Sequence, residues 1–173
     1  MIKHGLILDP KLTDDLEAGA GDPLSMLSPD LIARSVAIKA AVVSEDEKEA
    51  DMRTLLNYGH TVGHAIEAVT GYAEYLHGEA VAIGMRAAGT ISVELGLLTK
   101  SEFERQQRII RAYGLPESAP GLDPEEILEA TRSDKKSRAG DIRWVLLHGI
   151  GQAVVRPSVD PVVVRAAVEL VVR

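Results

Sequence analysis

Punctuation is the strongest constraint on how this chain can fold. Pro10, Pro29, Pro124 and Pro161 each follow an aspartate or a serine, at Asp9, Ser28, Asp123 and Asp160. Proline at the first helical position has no amide to leave unsatisfied and a dihedral already set for a helix. The preceding side-chain oxygen caps the free amides that follow. Each pair therefore predicts a helix start. The first opens a short helix to about Glu17, and residues 18–28 read as a turn-rich loop. The second carries Leu31, Ile32, Val36, Ile38 and Val42 at roughly helical spacing. Ser101 with Glu104 predicts a capping box for a helix ending near Gly114. "HGEAVAIGMRAAGTISVELG" is apolar on most sides and predicts a central helix, whereas "IRWVLLHGIGQAVVR" is rich in β-branched residues around a glycine-bearing turn and predicts a hairpin. The expected fold is mainly α: one multi-helix domain over residues 1–173 with one small antiparallel β-hairpin.

Bulk properties exclude several function classes. The formal net charge of −7 disfavours nucleic acid and anionic membranes as partners, so an anion site must be a local basic cluster. There is no cysteine, hence no thiolate metal ligand and no disulfide, which suits a cytoplasmic location. The most apolar segment, Ala80 to Leu98, is interrupted by Arg86 and Glu94, against a membrane span.

The chemistry concentrates in "LLNYGHTVGHAIE", Leu55 to Glu67. Three of the five histidines lie between positions 60 and 77. One helix from the acidic run "SEDEKEAD" to about Val69 would place Glu49, Arg53, Asn57, His60 and His64 within an arc of about 80°. A polar stripe is ordinarily a solvated face. This one lacks the usual Lys/Glu mixture, is interleaved with Gly59 and Gly63, and is followed by His77-Gly78-Glu79. Glycine inside a helix costs about 1 kcal/mol and makes sense where a backbone or ligand comes close. Neutral imidazole suits zinc, and arginine or lysine suits phosphate or carboxylate. His60 and His64 could chelate one ion with His77 or Glu67 as a third ligand. The residues by themselves reach a metal beside an anionic substrate, and no further.

"NYGHTVGHAIE", "HGEAVAIGM", "IKAAVVSEDEKE" and "DKK" together resemble the 3-dehydroquinate synthase family, over that family's C-terminal, mostly helical domain. The first two motifs are shared with other sugar-phosphate cyclases making inosose or valiolone products. The resemblance implies a seven-carbon keto-sugar acid phosphate (DAHP) as substrate, converted to 3-dehydroquinate in the shikimate pathway. It also implies transient use of NAD, a divalent metal (zinc or cobalt) and a homodimeric full enzyme. By the resemblance, His60 and His77 are metal ligands, and His64 and Glu49 serve proton transfer. Lys3, Lys39, Arg53, Asn57 and Lys135 contact substrate, with Lys136 the alternative to Lys135. Glu79 is expected to serve the start of its helix, and His4 and His148 to be ordinary.

The family's third metal ligand is a glutamate that would immediately precede Met1, and no glycine-rich strand-turn-helix for a dinucleotide exists in the chain. "HGIGQ" leads from strand to strand. The expectation is a catalytic-domain fragment without its N-terminal NAD-binding partner, inactive alone and weak in zinc binding. A related cyclase and a non-catalytic helical metal-binding or interaction domain are the competing readings.

Overall fold

The computed structural model describes residues 1–22, 24, 28–45, 52–136 and 142–173, with backbone alone at 45 and 134–136. Among the described residues it is mainly helical with one two-stranded antiparallel sheet, as the sequence predicts. In chain order the elements are α1 (Ile2–Leu8), α2 (Pro10–Ala18), α3 (Pro29–Glu45), α4 (Met52–Leu55), α5 (His60–Val69), α6 (His77–Glu94), α7 (Lys100–Ala112), α8 (Pro124–Lys136), β1 (Trp144–Leu147), β2 (Ala153–Arg156) and α9 (Pro161–Val172).

The proline-led starts are real. The side chains of Asp9, Asp123 and Asp160 accept from the amides of Leu12, Glu125 and Val162 at 3.1, 2.8 and 2.8 Å. The α7 capping box lies two residues earlier than expected. Thr99 is the cap, and its backbone amide donates to Glu102 at 3.1 Å. Among Thr99, Lys100 and Ser101 the sequence offers two hydroxyl caps, and the pair that closes the box decides. Helix α1 is not legible in the sequence, because a seven-residue segment with glycine in the middle carries little periodic signal. It forms because Leu6 and Ile7 are fully buried and His4 Nδ1 hydrogen-bonds Ser35 Oγ of α3 at 2.8 Å.

Helix α6 is central, as its composition implies. Ala80, Val81, Ala82, Ile83, Met85, Ala87, Ala88 and Ile91 are all buried, and α5, α7, α9 and β1 pack around it. Its one interior cation, Arg86, reaches the protein's edge and donates to the Glu117 carbonyl at 3.0 Å. The hairpin pairs Trp144 with Arg156 through Leu147 with Ala153. It is pinned to α6 where the Leu147 amide donates to Ser92 Oγ at 3.1 Å. Its turn touches α1, the Gly151 amide donating to the Leu6 carbonyl at 2.8 Å. The "HGIGQ" glycines therefore serve a turn. Among the described residues no helix is long and apolar enough to cross a membrane.

A second expectation fails. The segment before His64 is not one helix. Chain direction changes over residues 56–59, where the Asn57 and His60 amides donate three residues back at 2.9 Å each and Gly59 adopts φ +81°. Tyr58 is fully buried, its hydroxyl donating to Gln106 Oε1 at 2.7 Å. Gly59 in the left-handed region ends the first segment, a conformation that glycine adopts without steric cost.

Candidate metal centre

Two short-range features bring the histidines together. His60 and His64 lie one turn apart on α5, and His77 is the first residue of α6. Helices α5 and α6 then pack backbone to backbone. A Cβ on Gly84 would strike the Gly59 carbonyl and come within 2.8 Å of the Gly63 amide nitrogen, and a Cβ on Gly63 would sit 3.0 Å from the Ala80 carbonyl oxygen. Gly59 and Gly63 thus permit the close approach anticipated for them, and Gly84 meets them from α6.

Ring centroids are 5.2 Å apart for His60 and His64, 5.4 Å for His60 and His77, and 5.8 Å for His64 and His77. One nitrogen from each ring lies within 4.8 Å of the other two. A tetrahedral ion about 2.1 Å from each nitrogen sets them about 3.4 Å apart. His64 and His77 are both exposed, on the solvent side of the group. Three imidazoles with a side open to solvent fit zinc or cobalt.

Protonation suits this role. The carbonyl of Tyr58 can only accept, so His60 Nδ1, 3.2 Å away, carries the hydrogen and Nε2 carries the lone pair. Burial, then the charge of Lys3, pushes the His60 imidazole down to about 4, so the ring is neutral at physiological pH. Lys3 Nζ approaches His60 Nε2 at 3.4 Å. Burial, then Lys39, brings the Lys3 ammonium down to about 8. Lys3 is therefore no ordinary surface lysine: α1 holds it part-buried against His60.

The other expected site residues are placed unevenly. Lys39 is exposed on α3 and acts electrostatically on Lys3. Arg53 is exposed on α4 and donates to the Val43 carbonyl at 3.4 Å. Asn57 is exposed in the turn before α5. The break at 56–59 removes the shared helix face that was to align Arg53 and Asn57 with the histidines. Glu49 lies outside the described residues, as do the side chains of Lys135 and Lys136 on α8. Glu79 serves its helix start, accepting from the Leu76 amide at 2.8 Å. His4 is held by Ser35, and His148 is exposed in the hairpin turn.

Glu67, an alternative third ligand on sequence grounds, does not join the three nitrogens. It is buried beside His77, with Oε1 and Oε2 at 3.1 and 3.3 Å from Nδ1. Sequence reasoning misses this contact. The ten-residue gap has no helical register, because a turn and a second helix start intervene.

The sequence and the fold are similar to those of known proteins. The family model described as "3-dehydroquinate synthase C-terminal" matches residues 1–137. A 3-dehydroquinate synthase of Nostoc punctiforme is 47% identical over 175 residues, covering 98% of this chain and 48% of the relative. One from Thermoanaerobacter pseudethanolicus is 46% identical over 156 residues, covering 88% and 44%. Among solved structures, the 2-epi-5-epi-valiolone synthase ValA of Streptomyces hygroscopicus subsp. jinggangensis 5008, with NAD+ and Zn2+ bound, has a TM-score of 0.86 at 28% identity, covering 98% of this chain and 48% of that one. A 2-deoxy-scyllo-inosose synthase with carbaglucose-6-phosphate, NAD+ and Co2+ has a TM-score of 0.77 at 24% identity, covering 99% and 50%, a likeness of fold. The chain spans about half the length of the relatives it matches. On the family match and these identities, the chain belongs to the 3-dehydroquinate synthase family, in its C-terminal domain.

Proposed function

We propose that this chain supplies the metal-holding, substrate-facing part of a 3-dehydroquinate synthase, which converts DAHP to 3-dehydroquinate and phosphate in the cytoplasm. The observation that carries the reading is the convergence of His60, His64 and His77 beside Lys3. His60 and His77 hold zinc or cobalt, with His64 either completing the set or moving a proton at the substrate. A bound metal lowers the pKa of the hydroxyl to be oxidised. Lys3, with Lys39 behind it, attracts the substrate's carboxylate or phosphate into a chain that is otherwise net negative. Arg53, Asn57 and Lys135 are proposed as further substrate contacts and Glu49 as an acid/base group.

In the full-length enzyme an NAD-binding half packs beside this site. The outer face of α3 supports that arrangement. Ile32, Val36 and Val43 are exposed by 42%, 62% and 40%, and Lys39 shares their stripe. The full enzyme is proposed to be a homodimer.

The test is twofold. Zinc titration of the 173-residue chain should give one site per chain, lost in His60→Ala and weakened in His77→Ala. Phosphate release from DAHP with NAD and zinc should require mixing with the nucleotide-binding half of a homologous synthase. Absence of zinc binding by the folded wild type would sink the metal reading. Robust turnover by this chain alone would overturn the division of labour. A second reading is a cyclase acting on a sugar phosphate without the carboxylate, favoured by the TM-score of 0.86 to the valiolone synthase. Turnover of a sugar phosphate lacking the carboxylate in preference to DAHP by the reconstituted enzyme would select it.

A further inference from the structure

We propose that Glu67 is a positioning residue for the metal centre: its buried carboxylate accepts the Nδ1–H of His77, holding that ring in the tautomer whose Nε2 lone pair is free for an ion. The inference rests on the metal reading above and adds a group behind the ligands.

The argument starts from cost. Glu67 is 7% exposed, on the face of α5 packed against α6. A carboxylate buried this far loses hydration worth several kcal/mol unless it is hydrogen-bonded or paired. Among the described residues its side chain has one polar partner, His77 Nδ1, at 3.1 Å to Oε1 and 3.3 Å to Oε2. Leucine would fill the space between the helices without that penalty. The carboxylate is therefore there for what it does to the ring.

The consequence follows from donor and acceptor roles. A carboxylate only accepts, so Nδ1 carries the hydrogen and Nε2 keeps the lone pair. A free imidazole interconverts between tautomers, and a ring whose side chain is 59% exposed has little packing to hold its orientation. Glu67 removes both freedoms, and its negative charge makes Nε2 a better donor to a cation. His60 receives the same tautomer from a neutral group, the Tyr58 carbonyl at 3.2 Å. The two rings are thus oriented alike but by different means: His60 is held by backbone and burial, and His77 by a charged group. Loss of the Glu67 carboxylate should therefore be felt mainly at His77.

A purely structural role, tying the start of α6 to α5, is the competing account. Glu67→Leu and Glu67→Gln separate the two. In the metal-free chain at pH 8, nitrogen-15 NMR of wild type should find His77 in the Nδ1–H form. The Glu67→Gln variant should retain that form through its amide oxygen, and the Glu67→Leu variant should lose it. Zinc affinity by chelator competition should fall roughly 10- to 100-fold in Glu67→Leu and less in Glu67→Gln. The visible spectrum of the cobalt-loaded Glu67→Leu chain should change, while its metal-free Tm stays level or rises. An Nε2–H tautomer for His77 in wild type overturns the inference whether or not metal binds. So does a Glu67→Leu chain with unchanged zinc affinity and cobalt spectrum, or one whose loss of affinity is matched by a loss of metal-free Tm. Failure of wild type to bind zinc while His77 shows the Glu67-dependent tautomer would count against the metal reading and leave the positioning role standing.

Discussion

Gly84 of α6 lies directly against the carbonyl of Gly59, with no room for even a methyl group between them. This contact sets how far the start of α5, and with it His60, stands from α6.

Gly84→Ala tests it. Alanine is the better helix former by about 1 kcal/mol. Here the added carbon meets backbone on a neighbouring segment that no rotamer change can relieve, so overpacking costs about 1–3 kcal/mol or more and wins. Denaturant unfolding should place the variant below wild type, with weaker zinc binding as α5 is pushed off α6. A variant as stable as wild type would mean the helices slide freely.

Tyr58→Phe isolates the fold from the site. Its hydroxyl donates to Gln106 Oε1 at 2.7 Å, and Gln106 Nε2 donates to the Met85 carbonyl at 2.9 Å, all out of contact with water. Removing the hydroxyl leaves a buried acceptor unsatisfied at a cost of about 1–3 kcal/mol. Zinc affinity should hold, because His60 is oriented by the backbone of residue 58 and not by its ring. A large loss of zinc binding in a folded Tyr58→Phe protein would contradict this division.

Acid should destabilise the chain before its carboxylates titrate. Burial, with the positive charges of the chain's amino terminus and Lys3 behind it, brings His4 down to about 4, and burial with Lys3 does the same for His60. Both values lie below the ordinary imidazole value of 6.5. The unfolded chain therefore binds more protons between these limits. Stability is complete above about pH 6.5 and falls toward pH 4, by at most about 1.4 kcal/mol per pH unit for each ring. Unfolding free energies measured across this window should show the slope, and His4→Asn should remove about half of it. A flat profile would show that neither ring is held neutral.

The outer face of α3 should make the chain self-associate. Val36 is 62% exposed between Ile32 and Val43. Val36→Lys should shift the chain toward monomer in sedimentation while leaving zinc affinity unchanged, and should weaken rescue by the nucleotide-binding half. Equal rescue by both proteins would place the partner elsewhere.

The proline-led helix starts and the central position of α6 could be read from the chain because they depend on local chemistry. A capping oxygen acts within three residues, and an all-round apolar helix has only one place to go. The three histidines were legible as candidates for a similar reason, their number and motif spacing being one-dimensional facts. The turn at residues 56–59, the entry of Lys3 into the site on α1 and the pairing of Glu67 with His77 were settled only in three dimensions. Each depends on a contact between segments of different direction: Tyr58 reaching Gln106, α1 lying against α3, and α5 meeting the start of α6 across glycine. Sequence periodicity measures angle about one axis. The angle between two axes is decided by which backbones can touch, and the glycines at 59, 63 and 84 decide it here.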